Sequence, residues 1–164
     1  MSIDDHLKSL TAPLRKRTVC FLIDNERLLL GMKKRGFGKG NYLGIGGKVE
    51  QGETVIQAAI REYQEEAEVT PEELQEVAVL TFLFSEKPDW NQEVHAFISY
   101  KWTGSPKETE EIAPEWFDKD KIPFDKMWED NRYWIPQILS GNKVRATFLY
   151  DENLKVSERR ITSH

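Results

Sequence analysis

Four acidic residues and one arginine carry the most telling chemistry of this chain. Glu62, Glu65 and Glu66 fall within five positions, Arg61 directly precedes them, and Glu53 stands nine positions before Glu62. On a helix, residues three and four apart lie about 5–6 Å from each other at Cβ, so the three glutamates share one side. Like charges at that distance repel, and helices normally avoid the arrangement without a counter-ion. Mg²⁺ answers the need, because it takes oxygen ligands and keeps waters that a substrate phosphate can replace. Arg61 is placed to hold one carboxylate in a charge-assisted pair, and Glu53 to fold back over the same side. A solvated acidic helix face is the plain alternative. Against it, no lysine stands between residues 54 and 70 to balance the acids, and Gly44, Gly46 and Gly47 lie just ahead of the cluster.

These residues need a helix to carry them, and the sequence supplies one. Thr54-Val55-Ile56-Gln57 fits a capping box, and Ile56, Ala59, Ile60, Tyr63 and Ala67 recur at helical spacing as one apolar stripe. The carboxylates fall beside that stripe. The helix stops before Thr70-Pro71-Glu72-Glu73, which reads as the start of a short second helix. Strands are expected over residues 17–24 and 27–32, then about 78–84 and 93–102, with Leu80, Phe82 and Phe84 on one face of the third. A helical stretch is expected within 123–139, and a closing hairpin from 144–150 and 155–160. Residues 33–47 read as a long loop rich in glycine and basic residues, a length that is usually functional. Strands on both sides of a helix imply an α/β fold, here a sandwich. The expected organisation is one domain over 1–164, with 1–16 a flexible or peripheral segment.

Composition narrows the function. The chain has 164 residues, 39% hydrophobic and 31% charged, which suits one soluble domain. Its 23 basic and 28 acidic residues give −5, a balance that disfavours a nucleic-acid backbone binder. The longest plain apolar run is the five residues Val19 to Ile23, so no membrane partner is expected. Met1 to His6 carries acid where a secretion signal has basic and then apolar residues, and the expected compartment is the cytoplasm. Cys20 is the single cysteine and sits in an apolar run, a core residue rather than a nucleophile. His6, His95 and His164 form no metal-ligand spacing. Gly36-Phe37-Gly38-Lys39-Gly40-Asn41 lacks the third glycine of a dinucleotide fingerprint, and no Gly-Lys-Ser/Thr of a P-loop occurs.

Gly47, Glu53, Arg61, Glu62, Glu65, Glu66 and Val69 together resemble the Nudix box. From this chain's own residue frequencies, the first six matches arise by chance on the order of 10⁻⁴ of the time. The resemblance implies an α/β/α sandwich with a mixed sheet and a catalytic helix. It also implies a Mg²⁺-dependent hydrolase of nucleoside diphosphate derivatives, with Mn²⁺ as a substitute ion. By the same resemblance Glu62, Glu65 and Glu66 hold the metal, assisted by the Gly46 carbonyl and Glu111. Glu53, Arg61, Glu65 and Glu66 form the catalytic set, with Glu65 or Glu66 as base. Two positions depart from the box. Tyr63 stands where an aliphatic residue is usual, so its hydroxyl needs a partner or an exposed edge. Glu68 replaces the closing glycine, and a left-handed residue there costs about 1–2 kcal/mol.

Similarity to the animal-type MutT homologues, oxidised-purine nucleoside triphosphatases, covers roughly Thr18 to Tyr150. It rests on Leu30 to Gly38, Pro123-Phe124, Met127-Trp128, Tyr133-Trp134 and Pro136. It implies a purine pocket of Thr18, Lys33, Phe37, Leu43, Phe82, Trp128, Asp130 and Asn131, a small nucleotide as the partner, and a monomer. Trp128 and Phe82 offer π-faces, and Asp130 accepts from a base N–H edge. Leu43 stands where the family has an asparagine, and Asn131 where it has a second aspartate. An Asp130/Asn131 pair presents one acceptor-only group and one amide, so guanine-type edges should be read and 2-oxo-adenine tolerated less. Equal kcat/KM for 8-oxo-dGTP and 2-oxo-dATP would count against that. Two other readings stand beside it: the same chemistry on an alkylated dNTP, dinucleoside polyphosphate or ADP-ribose, and a silent nucleotide-binding module. Glu65→Gln abolishes turnover in the enzyme readings and changes nothing in the silent one.

Overall fold

The computed structural model describes residues 1–164. A short helix α1 (Ile3–Lys8) leads into the strands β1 (Arg15–Asp24), β2 (Arg27–Lys33), β3 (Tyr42–Leu43) and β4 (Ile45–Lys48). Helix α2 (Val55–Ala67) follows, then β5 (Thr70–Glu72), β6 (Gln75–Phe84), β7 (Gln92–Ser99), β8 (Lys101–Thr103) and β9 (Ile112–Asp118). The chain ends with α3 (Asn131–Leu139) and the hairpin β10 (Val144–Tyr150) and β11 (Val156–Ser163).

Nine of the strands form one mixed sheet in the order β11-β10-β6-β7-β1-β2-β3, with β4 added on β1 and β9 on β2. Strand β1 is the hinge of this layout. It runs parallel to β7 from Arg15 to Leu22, while its other edge pairs antiparallel with β4 over Arg17–Cys20 and with β2 only at Ile23 and Asp24. Its side chains alternate accordingly. Cys20 and Leu22 pack with Phe97 under α2, around the buried Ala59, Tyr63 and Ala67. Phe21 and Ile23 face the larger core under α3, with Leu80, Phe82, Trp134 and Phe148. The result is the expected sandwich, with α2 on one face and α3 on the other.

Several expectations need correction. Residues 70–73 do not start a helix: Thr70–Glu72 is a strand paired with β8, with Pro71 opposite Trp102. The left-handed Glu68 (φ 57°) has already turned the chain, and buried Val69 pins the new direction. A two-stranded ribbon has unpaired edges, where a proline lacking its N–H is tolerated. The strand expected over 93–102 is broken at Tyr100, where the Ser99 hydroxyl bonds the Glu72 carbonyl at 2.6 Å. The loop 33–47 contains two strands, and β9 lay unread. The apolar stripe of α2 excludes Ile56, which is exposed, and includes Ala58. In the N-terminal segment, α1 carries a Ser2/Asp5 capping box and buries Ile3 completely against Leu83 and Leu149. The Tyr63 hydroxyl is buried with no hydrogen-bond partner of good geometry, a cost the fold absorbs.

Candidate active site

Helix α2 is set at both ends by its own sequence. The Gln57 N–H donates to the Thr54 hydroxyl at 3.1 Å and the Thr54 N–H to the Gln57 side chain at 2.9 Å. At the far end the Glu68 N–H reaches the Gln64 carbonyl at 3.1 Å from its left-handed conformation. Between these caps Arg61 acts as a hub. Its guanidinium donates to both oxygens of Glu53 (2.7 and 3.0 Å), to Glu62 (2.9 Å), to Glu65 (3.3 Å) and to the Lys48 carbonyl (2.9 Å). Glu53 also accepts the Glu50 N–H at 2.9 Å, and Arg61, then this N–H, hold its carboxyl below the usual range.

The three glutamates differ in exposure. Glu65 points outward, with its side chain 59% exposed, whereas Glu62 is 14% exposed and lies against Gly47. A Cβ on Gly46 would collide with the Thr18 carbonyl, so glycine is needed there for β4 to lie so close to β1, whereas one on Gly47 would displace the Glu62 carboxylate. Glu66 is the perturbed member. Burial, then the charges of Glu62, Glu111 and Glu65, push it up to about 7, with Arg17 opposing. Glu111 is held by Arg35, which lowers its carboxyl.

Across the β1–β4 ladder a cavity of about 770 Å³ opens. All eight residues expected to line a base pocket do line it: Thr18, Lys33, Phe37, Leu43, Phe82, Trp128, Asp130 and Asn131. Thr18 brings a buried hydroxyl with no partner. Trp128 lies 5.3 Å from Tyr150 and 6.0 Å from Phe84 between centroids, and exposed Phe37 meets Trp90 edge-on at 5.6 Å at the mouth. Asp130 is buried and doubly engaged: Tyr150 donates its hydroxyl to Oδ1 at 2.5 Å, and the Trp134 indole donates to Oδ2 at 2.8 Å. The Asp130 N–H in turn donates to the Tyr150 hydroxyl at 3.0 Å. Burial still pushes its carboxyl up to about 6 against these donors. Asn131 spends one amide hydrogen on the Trp128 carbonyl at 2.9 Å, leaving one donor and its oxygen.

A carboxylate helix with an arginine hub beside a cavity lined by aromatic rings and an aspartate is a recognisable constellation. Residues 13–138 match the NUDIX domain. The chain belongs to the Nudix family. It is 39% identical to the oxidized purine nucleoside triphosphate hydrolase of Danio rerio over 144 residues, 88% of this chain and 92% of that protein. It is also 39% identical to the protein of that name from Mus musculus over 152 residues, 91% of this chain and 97% of that one. Among solved structures, a MutT protein from Bacillus halodurans superposes with a TM-score of 0.80 at 25% identity, covering 90% of this chain and 97% of that one. The protein is therefore a Nudix hydrolase.

Nudix hydrolases work with a divalent metal ion. The donors here suit one: every candidate is a hard oxygen, and Glu66 is raised to about 7 by burial and then by the surrounding like charge, which a cation would relieve. In this arrangement no three acidic side chains converge on one point, because Arg61 holds Glu62 and Arg35 holds Glu111. The carboxylate set also stands outside the cavity lining, which it meets at Gly47, against the Glu62 carboxylate. Residues the sequence reading missed are Arg17, Phe84, Trp90, Trp134 and Tyr150, all lining the cavity. Trp90 could have been noticed as a lone tryptophan in the polar run Lys87 to Asn91, and Arg17 as the end of Arg15-Lys16-Arg17. Nothing local marked Tyr150.

Proposed function

We propose that this Nudix hydrolase is a Mg²⁺-dependent pyrophosphohydrolase converting oxidised purine nucleoside triphosphates, 8-oxo-dGTP among them, to the monophosphate and pyrophosphate. The observation that carries the reading is the buried Asp130 carboxylate in a cavity walled by Trp128, Phe82 and Phe84 and lined also by Gly47, which lies against Glu62 of α2. The names of the zebrafish and mouse relatives support it.

In this reading the purine slides between the aromatic rings, and its N–H edge donates to Asp130, whose carboxylate plane Tyr150 and Trp134 hold. Glu62, Glu65, Glu66, Glu111 and the Gly46 carbonyl would hold Mg²⁺, with Mn²⁺ as substitute. When bound, the ion neutralises phosphate oxygens and makes water a better nucleophile. Of Glu65 and Glu66, Glu66 is the base we favour, because it is the less exposed of the two and stands within the field of Glu62 and Arg17. Glu53, clamped by Arg61, positions rather than reacts. Overall one water is consumed, the α–β phosphoanhydride bond breaks, and one new P–O bond forms. We read the protein as a cytoplasmic monomer acting on free nucleotides, with no nucleic-acid or membrane partner.

Leu43 favours a second reading. An apolar side chain in the cavity neither donates nor accepts, and it suits a purine bearing an alkyl group. Steady-state kinetics with Mg²⁺ on normal, oxidised and methylated dNTPs, scoring pyrophosphate against orthophosphate, separates the two. The expected result is highest kcat/KM for 8-oxo-dGTP with pyrophosphate as product; orthophosphate release, or no turnover of any purine triphosphate, defeats the proposal.

A further inference from the structure

The cavity is far more cationic than the chain. The protein carries −5 overall, yet Arg15, Lys16, Arg17, Lys33 and Lys48 line the cavity against only two acids, Asp89 and Asp130. None of the five basic residues forms an ion pair, although Arg35 and Arg61 just outside it are fully engaged with carboxylates. Unpaired cations facing a shared cavity call for an anion larger than a single carboxylate.

Arg17 stands apart within this set. Arg15 and Lys16 are exposed, whereas Arg17 is half-buried. Burial weakens its hold on its proton, while Glu62 and Glu66 on α2 act in the opposite sense. It lies near both carboxylates and hydrogen-bonds neither. A guanidinium that has shed much of its water and keeps its donor fork free lacks an acceptor, and the planar fork fits two phosphate oxygens at once. Its surroundings supply more donors of the same kind. Arg17 is opposite Lys48 on β4, so the two cationic side chains leave the ladder on the same face.

This donor group sits on β1, and the base-reading Tyr150 sits on β10. Three strand steps separate them in the sheet order β10-β6-β7-β1. At about 4.8 Å per step that is roughly 14 Å across the sheet. The registers set Arg17 about four residues, roughly 13 Å, further along the strands. Arg17 and Tyr150 therefore lie roughly 19 Å apart, within the span of an extended nucleoside triphosphate and the side chains that hold its ends. The geometry points to Arg17, with Lys48 across the ladder, as the grip on the β- and γ-phosphates, the pair that departs as pyrophosphate. This rests on the triphosphate reading above, and makes Arg17 a substrate-contacting residue that orients the polyphosphate toward α2.

The test is calorimetric titration of inorganic pyrophosphate and, separately, of 8-oxo-dGMP into the wild type, Arg17→Gln and Arg17→Lys, each with Mg²⁺ and with EDTA. Arg17→Gln should weaken pyrophosphate binding tenfold or more under both conditions while leaving 8-oxo-dGMP within twofold. Arg17→Lys keeps the charge without the fork and should lose an intermediate factor, which keeps the question answerable if the glutamine variant folds poorly. In turnover, KM for the triphosphate and the inhibition constant of pyrophosphate should rise together. Unchanged pyrophosphate affinity, or equal loss for both ligands, overturns the proposal. A wild type that binds pyrophosphate through Arg17 yet cleaves no purine triphosphate leaves the phosphate grip standing and removes the substrate reading instead.

Discussion

Tyr150→Phe removes a single oxygen that both donates to Asp130 Oδ1 and accepts the Asp130 N–H. The Asp130 carboxyl has a midpoint of about 6, raised by burial and restrained by Tyr150 and Trp134; Glu129 alongside adds a smaller upward push. A hydrogen bond to a charged group contributes about 1.5–3 kcal/mol, and 1.36 kcal/mol corresponds to one pH unit. The variant's midpoint should therefore rise by about one to two pH units. At pH 7 the wild-type group is then about nine-tenths carboxylate, and the variant's about half or less. A carboxylate accepts from the N1–H and amino edge of a guanine-type base; a protonated carboxyl also donates to the ring acceptor of an adenine-type base. The ratio of kcat/KM for 8-oxo-dGTP to that for 2-oxo-dATP should fall by about ten- to a hundredfold at pH 7, with the loss recovered at higher pH. The assay is that ratio from pH 5.5 to 8.5, alongside ¹³C NMR titration of the Asp130 carboxyl without substrate. Identical NMR midpoints in the two proteins would refute the reasoning, whatever the kinetics.

Other outcomes follow from the helix and its cluster. Arg61→Lys keeps one charge but loses the fork that spans Glu53, Glu62 and Lys48, so kcat should fall ten- to a hundredfold with nucleotide KM little changed, by steady-state assay. Glu68→Gly relieves a left-handed glutamate at about 1–2 kcal/mol and gives back about 0.5–1 in unfolded-chain freedom, so a net gain of about 0.5–1 kcal/mol should raise Tm by about 1–4 °C. An unchanged or lower melting point would refute it. Because Glu66 titrates higher in the fold than its usual 4.5, the fold favours its protonated form. That contribution is full below pH 4.5 and lost as pH rises to about 7; Asp130 acts in the same direction between 3.8 and about 6. In EDTA, urea midpoints should therefore decline from pH 5 to 7.5, and Mg²⁺ should reduce the decline; a rise with pH would contradict it.

What could be read ahead of the structure was local. The capping box of Thr54 and Gln57, the left-handed demand at Glu68, and the crowding of Glu62, Glu65 and Glu66 on one side with Arg61 beside them all follow from spacings of a turn, where helix geometry dictates neighbours. The alternation of Leu80, Phe82 and Phe84 gave the inward face of β6 for the same reason. The failures involve partners remote in sequence. Thr70-Pro71-Glu72 has the composition of a helix start, and only its pairing with residues 101–103 makes it a strand. Strand β9 contains Pro114 and survives by pairing along the whole of β2. Tyr150 and Arg17 acquire their roles from Asp130 and α2, at distances along the chain that no periodicity encodes.

Strands β6 and β10 run parallel in register, Phe82 with Phe148, Leu83 with Leu149, Phe84 with Tyr150. Even-numbered positions furnish rings to the large core and, with Phe82, Phe84 and Tyr150, to the ligand chamber, while Leu83 and Leu149 form the socket for Ile3 of the amino-terminal helix. One ladder thus serves two clients back to back. Point changes can retune either side independently, but a one-residue insertion upstream in either strand would turn its set inside out, presenting leucine to the nucleotide and an aromatic ring to the helix. Loss of base discrimination and release of the amino terminus would then arrive together, as a single lesion with two distant symptoms.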